Sequence, residues 1–228
     1  MTRIHIICEG KTEVLFVKEV LKPHFTERNI GLYPQLIGEA GHKGGNFRLE
    51  RLLKNMRPSL YDRTAYCTTF FDFYGLHPKF PGKEEALTKN GAQEKSRCLL
   101  DALTKQLCEK LGTEPMRRFI PYVQMYEFEG LLFSDPKKFA DGIGKPAFGA
   151  AFQKIRSAFA SPEEINNSPD TAPSKRILKL YKEYDKGLHG RLAAKEITLN
   201  AIRQECPLFD AWLKKLEALP PIEPKGTD

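Results

Sequence analysis

The stretch that decides the fold of this chain is residues 4–13, with the sequence IHIICEGKTE. Its first half is a short apolar run rich in β-branched residues, which predicts a buried β-strand. Gly10 allows a tight turn after the strand, and Thr12 can cap a helix that begins there. We therefore expect Glu9 at the C-terminal end of the strand and Glu13 one helical turn further on. In open α/β sheets, ligands and reacting groups gather at the edge formed by the C-terminal ends of the strands.

The composition is that of an ordinary globular chain. With 228 residues, of which 41% are hydrophobic and 29% charged, it can bury a substantial core as one domain, or as one domain with an appendage. No apolar stretch approaches the roughly 20 residues of a membrane-spanning helix, and the N-terminus lacks the order of a signal peptide. The five cysteines form no Cys-x-x-Cys pair, which favours free thiols over disulfides or a zinc ribbon. We expect a cytoplasmic protein without a membrane partner.

The net charge of +7 is a modest basic excess. An excess of this sign favours polyanionic partners such as DNA or RNA, although many soluble proteins carry as much without such a partner. The excess gains meaning only if acidic side chains gather at one site and basic side chains surround it.

Strand and helix signals alternate over the first 125 or so residues. The predicted strands are Ile4–Cys8, Leu32–Ile37, Ala65–Phe71 and Arg118–Gln124, with helical patterns between them and a loop from Gly75 to Gly91. Such alternation predicts an α/β fold, Rossmann-like, with a mainly parallel sheet flanked by helices. Pro121 interrupts the fourth strand and favours an edge position for it.

Beyond Phe128 the strand signals cease. Residues 129–219 show short helical segments separated by Pro, Gly and Asn. The predicted organisation is an α/β core over residues 1–128, a helical extension packed on that core over 129–219, and a flexible tail over 220–228.

Acidic residues follow three of the predicted strands, where each strand ends. Glu9 and Glu13 follow the first strand, Asp72 follows the third, and Glu127 and Glu129 follow the fourth. If these strands are parallel, all five carboxylates leave by the same edge of the sheet and repel one another unless metal ions neutralise them. An all-oxygen ligand set favours Mg²⁺, Mn²⁺ or Ca²⁺ over zinc. Two such ions about 4 Å apart promote phosphodiester hydrolysis.

Each of these carboxylates also has a purely structural explanation. A glutamate at a helix start, such as Glu13, commonly compensates the helix dipole, and an aspartate at a strand end, such as Asp72, is often a turn residue. Glu127 and Glu129 can simply alternate with apolar neighbours. Only the joint placement of the carboxylates favours a metal site.

Five phrases of the sequence carry a resemblance over most of the chain. They are EGKTE at 9–13, TFFDFYG at 69–75, YEFEGLLF at 126–133, APSKR at 172–176 and LHGRL at 188–192. Together they resemble a bacterial Toprim-like family catalogued as domain of unknown function 4276, from about residue 3 to residue 219. The Toprim domain is shared by topoisomerases, primases and nucleases of the overcoming-lysogenization-defect type.

The resemblance implies a Toprim α/β core and metal-dependent phosphodiester chemistry. By position, Glu9 matches the first acid of the Toprim pattern, and Glu13 matches the second acid of the nuclease branch. Asp72 matches the first aspartate of the Asp-x-Asp pair. These three residues are therefore expected to be catalytic and to hold the principal Mg²⁺ or Mn²⁺ ion.

The sequence departs from the Toprim pattern at Tyr74, which replaces the second aspartate. A phenol is a poor ligand for a hard cation, so the departure puts a full two-metal site in doubt; Tyr74 is expected to pack rather than to bind. Glu127 and Glu129 resemble the later acidic pair of the nuclease branch, and they are expected to complete the metal site.

Basic residues supply the other half of the prediction. Lys175, Lys179, Lys182 and Lys186 recur at helical spacing and predict one basic stripe. The residues expected to bind nucleic acid are Lys11, Lys43, Lys175, Arg176, Lys179, Lys182, Lys186 and Arg191. A solvated helix face is the plain alternative. Lys175, with Lys11 as its rival, is expected to stabilise the transition state.

The resulting hypothesis is a Mg²⁺- or Mn²⁺-dependent endonuclease that cuts DNA or RNA, with DNA favoured. The resemblance implies a separately encoded ABC- or AAA-type ATPase partner in phage defence or DNA repair. One alternative is a Toprim-derived nucleic-acid-binding or effector subunit that does not cleave. The replacement of the second aspartate by Tyr74 favours this alternative. Another is an enzyme for small phosphoesters that uses the same metal site.

Overall fold

A computed structural model describes residues 1–38, 46–166 and 169–223 of the chain. Its strands are β1 (Thr2–Cys8), β2 (Ile30–Leu36), β3 (Tyr66–Phe70) and β4 (Phe119–Ile120). Within the described residues these strands form one sheet, in which every pair is parallel and the order is β2-β1-β3-β4. The predicted parallel α/β sheet is confirmed.

Helices connect the strands and follow them. In chain order they are α1 (Lys11–Phe16), α2 (Lys22–Thr26), α3 (Leu49–Tyr61), α4 (Lys83–Leu87), α5 (Gly91–Leu111), α6 (Thr113–Met116), α7 (Pro136–Gly142), α8 (Gly149–Arg156), α9 (Pro173–Leu180), α10 (Lys186–Ile197), α11 (Leu199–Glu205) and α12 (Pro207–Glu217). A π-helical segment, Val17–Leu21, joins α1 to α2. In the part of the chain that the structure describes, residues after 128 form helices and turns without a strand.

The sheet is covered on both faces, which explains its nearly continuous apolar strands. Ile6 and Ile7 are neighbours on β1 and are both fully buried, yet they belong to two different hydrophobic clusters. Successive side chains of a strand point to opposite faces, so each cluster fills one side of the sheet. One cluster includes residues of α1, α10 and α12, and the other includes residues of α3 and α5.

The fourth strand is shorter than predicted. β4 has two residues rather than the seven expected from Arg118 to Gln124, because Pro121 has no N–H to donate and interrupts the ladder. Parallel pairing resumes at a single bridge between Asp72 and Gln124. The edge position that Pro121 predicts for this strand is confirmed.

Two loop predictions have different outcomes. The predicted loop from Gly75 to Gly91 contains α4. The residue before this helix, Gly82, has a left-handed backbone conformation with φ of 74°. The sequence did not predict this helix, because it is short and the Pro and Gly residues around it are typical of a loop. Most of the Gly-rich turn predicted at 41–46 falls outside the described residues, as does Lys43.

The helices after residue 128 pack directly on the sheet. The indole of Trp212 in α12 stacks on Tyr122 with 4.4 Å between ring centroids, and its Nε1 donates a hydrogen bond to Thr68 Oγ1 on β3 at 2.9 Å. Ile222 packs against the same cluster, within the predicted tail, while residues 224–228 lie outside the described part. The division of the chain at residue 128 stays a prediction.

The five cysteines, all of which lie within the described residues, are free thiols. Burial raises the pKa of the Cys67 thiol to about 12, so it stays protonated at neutral pH. Among the described helices, none combines the length and the apolar character that a membrane span needs.

A short turn, Pro162–Glu164, ties distant helices together. Glu163 accepts hydrogen bonds from the backbone N–H groups of Leu208 and Phe209, at 2.8 and 2.9 Å, and so caps the start of α12. Glu164 caps α5 in the same way, through the N–H of Ala92 at 2.7 Å. Two helix starts that lack partners of their own are thus satisfied by one turn.

Glu163 makes the stability of the fold depend on pH. Burial raises the pKa of Glu163 from 4.5 to about 7, against the opposing effect of its two N–H donors. Between these values the folded protein retains a proton that the unfolded chain releases, so the free energy of unfolding falls as pH rises. Glu163→Gln cannot ionise. We expect the variant to gain about 3 kcal/mol on the wild type between pH 4.5 and pH 8, measured by urea denaturation.

Well below pH 4.5 both side chains are neutral in the folded and the unfolded chain, so the stability difference between the two proteins should no longer change with pH there. A stability difference that stays constant from pH 4.5 to pH 8 would contradict the titration of Glu163 in this window.

Candidate functional site

Four acidic side chains meet at the carboxyl edge of the sheet. Glu9 follows β1, Glu13 lies in α1, Asp72 follows β3, and Glu129 lies in the 3₁₀ turn Phe128–Ser134. Glu13, Asp72 and Glu129 are almost completely buried, with 2, 5 and 1% of their surface exposed. We refer to these four residues as the acidic cluster; they are four of the five carboxylates that the strand pattern selects.

Backbone N–H groups position the acidic cluster. Glu9 Oε2 accepts a hydrogen bond from the N–H of Asp72 at 3.0 Å, and Asp72 Oδ1 accepts from the N–H of Phe128 at 2.8 Å. Glu13 Oε2 accepts from the N–H of Gly10 at 2.8 Å, which closes the start of α1. One oxygen of each of these carboxylates is therefore fixed by the main chain of an adjacent segment.

Of the remaining oxygens of the cluster, Asp72 Oδ2 accepts a hydrogen bond from Lys186 at 2.9 Å, whereas three others lack a partner within the described part of the chain. Glu13 Oε1 and both carboxylate oxygens of Glu129 are buried and have no hydrogen-bond partner among the described residues. The hydroxyl of Tyr184 is likewise buried without a hydrogen-bond partner among the described residues, and it interacts electrostatically with Glu129. Buried polar atoms without partners are costly, and such a group of them indicates a place for a cation, a proton or a polar ligand.

Gly75 allows Glu9 to reach its position. A Cβ atom at residue 75 would lie 2.1 Å from Glu9 Oε2 and 2.3 Å from its carboxyl carbon. Gly10 has a similar relation to Glu13, whose Oε2 would lie 2.9 Å from an added Cβ. The carboxylates thus lie against backbone that carries no side chain.

The ammonium group of Lys186 lies among the carboxylates. Its Nζ is 2.9 Å from Asp72 Oδ2 and 3.4 Å from both Glu13 Oε1 and Glu129 Oε2. Lys186 is the first residue of α10, and 38% of its side chain is exposed to solvent. Burial of the ammonium would lower the pKa of Lys186, but the attraction of the three carboxylates outweighs it and holds the pKa well above its ordinary value.

The acidic side chains respond to the same crowding. Burial, followed by repulsion from Asp72 and Glu13, raises the pKa of Glu9 to about 8. Burial also raises the pKa of Glu129 to about 7, although Lys186 opposes the shift, and it raises the pKa of Glu13. Burial is the first cause of each of these shifts, and repulsion among the carboxylates adds to it, although two lysines lie nearby.

Lys83 is the second of these lysines. It is buried, its Nζ donates to the carbonyl of Leu76, and it lies 5.5 Å from the ring centroid of Phe73. Burial lowers the pKa of Lys83 to about 8, while the charge of Glu9 opposes the shift. Sequence reasoning missed Lys83 because it lies in the stretch predicted as a loop.

Glu127 is not part of the acidic cluster. Its two oxygens accept hydrogen bonds from the N–H and the hydroxyl of Ser174, at 2.8 and 3.0 Å, so the side chain caps α9. The 3₁₀ turn begins at Phe128 and separates Glu127 from Glu129. The expectation that both glutamates complete one metal site is wrong for Glu127 in this arrangement.

Tyr74 points its hydroxyl elsewhere as well. The hydroxyl donates a hydrogen bond to Asn166 Oδ1 at 2.6 Å, and the ring lies 5.7 Å from that of Tyr126. Burial raises the pKa of Tyr74 to about 12. Tyr74 therefore packs and brings no charged group to the acidic cluster.

The predicted basic stripe does not continue along one helix. α9 ends at Leu180 and α10 begins at Lys186. Because the helix is broken here, the side chain of Lys186 points towards the acidic cluster. Of the other residues predicted to bind nucleic acid, four are exposed: Lys11, Lys175, Lys179 and Lys182. Arg176 donates a hydrogen bond to the carbonyl of Thr171, and Arg191 forms an ion pair with Glu19. Lys186, rather than Lys175 or Lys11, is the cation that contacts the carboxylates.

As the side chains lie, the described residues contain no group of three or more His, Cys, Asp or Glu arranged to hold a metal ion. The Nζ of Lys186 lies within 3.4 Å of three of the four carboxylates. The donor chemistry of the cluster, carboxylate oxygen throughout, is nevertheless that of a Mg²⁺ or Mn²⁺ site.

Comparison with known proteins identifies the family. A family model described as Domain of unknown function (DUF4276) matches residues 8–217. The chain belongs to this family. No curated protein and no solved structure matches the chain. The DUF4276 match covers the acidic cluster, Lys83 and Lys186.

In this DUF4276 protein, Gly75→Ala tests how closely Glu9 lies against the main chain. We expect the added methyl group to displace the Glu9 carboxylate and to lower the free energy of unfolding by about 1–3 kcal/mol, as overpacking does. The measurement is thermal and urea denaturation.

Gly149→Ala is the matched control, since its added Cβ would make only ordinary contacts of 3.8 and 3.9 Å. The control should be neutral or slightly stabilising. Equal stabilities of the two variants would show that the Gly75 contact is easily relieved.

Proposed function

We propose that this DUF4276 protein is a metal-dependent nuclease of the Toprim type that hydrolyses phosphodiester bonds of DNA or RNA. The observation that carries the proposal is the acidic cluster, with its unsatisfied oxygens, at the carboxyl edge of a parallel sheet. The Glu-Gly turn after β1 and the aspartate after β3 support the Toprim relationship. The five free thiols support a cytoplasmic location.

The cluster has the donors that a hard divalent cation requires. Glu13 Oε1 and the two oxygens of Glu129 are buried without hydrogen-bond partners among the described residues. Glu9, Glu13, Asp72 and Glu129 would hold Mg²⁺ or Mn²⁺ through oxygen atoms alone. When bound, such a cation supplies Lewis-acid activation of the attacking water and of the phosphate.

Lys186 has to leave its present position before the carboxylates can serve as ligands. Its side chain is partly exposed and attached to the first turn of α10, so it can withdraw towards solvent without unfolding the helix. The ammonium that leaves the carboxylates is then available to a phosphate group of the substrate. Lys83, held near Glu9 by its bond to Leu76, keeps positive charge at the other side of the cluster.

The exposed lysines extend this arrangement outwards. Lys175, Lys179 and Lys182 lie on α9 and on the turn before α10, which carries Lys186. Positive side chains at such a place would attract the nucleic-acid backbone. We further propose, on family resemblance, that a separately encoded ABC- or AAA-type ATPase acts with the protein in phage defence or DNA repair.

Asp72→Asn tests the nuclease function directly. An asparagine oxygen can still accept the N–H of Phe128, so the variant should fold, but it removes the charge that faces Lys186. We expect at least a hundredfold loss of cleavage with Mg²⁺ or Mn²⁺, since the cation would lose a ligand. Supercoiled plasmid, linear DNA and structured RNA are incubated with each metal or with EDTA.

Asp101→Asn, at an exposed position of α5, is the matched control and should cleave like the wild type. Cleavage that persists in EDTA or in Asp72→Asn would contradict the proposed site.

A second function is favoured by the place of Lys186 itself. An ammonium group that contacts three carboxylates can be a permanent structural counterion, and Tyr74 contributes no charge. The protein would then bind nucleic acid as an effector subunit without cleaving it. In that case Lys175→Glu/Lys182→Glu should abolish nucleic-acid binding, whereas Asp72→Asn should leave it unchanged.

Lys186→Met separates the two functions. If Lys186 competes with a cation, the variant should bind Mn²⁺ about tenfold more tightly by titration calorimetry, since the competing charge is gone. Without metal it should be less stable by about 1–2 kcal/mol, a loss that the partial exposure of Lys186 limits. Added Mn²⁺ should restore the melting temperature.

Lys182→Met, an exposed lysine on the preceding turn, should bind Mn²⁺ as the wild type does. Weaker Mn²⁺ binding by Lys186→Met, or none by either protein, would favour the effector function.

A further inference from the structure

A groove with an apolar floor and a basic rim lies between α8 and α9. It has a volume of about 440 Å³ and is lined by Ala151, Lys154, Ile155, Ala158, Thr171, Arg176, Lys179 and Leu180. The described lining residues include three cationic side chains and no carboxylate. The charge around the groove is therefore positive, while its floor offers aliphatic surface.

The groove is built on rigid supports. The inner face of α8 carries Phe152, which is fully buried and stacks on Phe139 with 4.4 Å between ring centroids. The inner face of α9 carries Ile177, which is fully buried in the same cluster. Since both helices are anchored from below, the groove between them is a fixed surface of the fold.

The rim is also partly preorganised. Arg176 donates from Nε to the carbonyl of Thr171 at 2.7 Å, and its guanidinium lies 5.1 Å from the ring centroid of Phe159. Lys154 and Lys179 are exposed. Leu180, with 38% of its surface exposed, brings a large apolar side chain to the same place.

We propose that this groove docks an acidic amphipathic helix of a partner protein. The partner helix would place one or two aliphatic side chains on Ile155 and Leu180, and carboxylates beside Lys154, Arg176 and Lys179. Recognition of a helix in a groove combines these two contributions, apolar anchors for affinity and flanking charges for orientation.

A nucleic acid fits the groove less well. Its phosphates would be attracted to the three cations, but none of the described lining residues carries an aromatic ring on which a base could stack. Aliphatic surface gains nothing from a phosphate backbone. The apolar floor and the basic rim are used together only by a ligand that is apolar on one face and acidic at its margins.

The test uses the full chain without added metal, so it does not depend on the nuclease proposal. The probe is a fluorescein-labelled amphipathic peptide of about 15 residues, roughly four helical turns, with Leu on one face and Glu on its flanks. The small contact area predicts weak binding, with a Kd of about 10–100 µM by fluorescence anisotropy. Hydrogen exchange should become slower in α8 and α9 when the peptide is added.

Four variants, two in the groove and two controls elsewhere, test whether the peptide binds at this site. Lys154→Glu/Lys179→Glu should weaken binding at least tenfold, and Leu180→Gln should weaken it severalfold, because one removes the rim charge and the other the apolar anchor. Lys18→Glu/Lys105→Glu makes the same change of net charge at exposed positions of other elements and should bind like the wild type. Asp72→Asn should bind the peptide unchanged.

Two outcomes overturn the proposal. Equal loss of binding in both charge-reversed pairs would show attraction by net charge alone. Absence of peptide binding, together with loss of oligonucleotide binding in Lys154→Glu/Lys179→Glu, would assign the groove to nucleic acid instead.

Discussion

The balance of charge at the carboxyl edge of the sheet constrains the rest of this structure. Among the described residues, the ammonium groups that act on the acidic cluster are those of Lys186, which contacts three carboxylates, and Lys83, on which the charge of Glu9 acts. Three of the carboxylates are almost completely buried, where an uncompensated charge is expensive. The protein therefore has to keep protons on some of these groups, hold Lys186 among them, or take up a cation from solution. The raised pKa values of Glu9 and Glu129 favour retention of protons on these groups. The contacts of Lys186 show that its ammonium is held among the carboxylates.

The fold supports this cluster from several directions at once. The N–H groups of Gly10, Asp72 and Phe128 each fix one carboxylate oxygen, and they come from three separate segments. The counterion comes from α10, and the turn Pro162–Glu164 caps both α5 and α12. The helices after residue 128 thus complete the site as well as the core. A site assembled in this way responds to changes far from it, because its parts are held by packing rather than by one loop.

The two proposed functions differ in one physical quantity, the free energy with which Lys186 is held among the carboxylates. If a divalent cation can displace the ammonium, the cluster has the donors of a metal-dependent nuclease. If it cannot, the same residues form a buried ion-pair network that stabilises an effector subunit. The groove between α8 and α9 shares no residue with the acidic cluster, although its rim residue Lys179 is also one of the lysines proposed to attract nucleic acid.

The parallel sheet, the edge position of the fourth strand and the acidic residues at the strand ends could all be predicted from local patterns. These patterns are the period of apolar residues, the turn at Gly10 and the interruption at Pro121. The capping of α9 by Glu127, the charge interaction of Lys83 with Glu9 and the entry of Lys186 into the cluster depend instead on contacts between distant segments. Lys186 and Asp72 are 114 residues apart in the chain. Which side chain neutralises a buried carboxylate depends on how distant helices pack, and no local pattern records that.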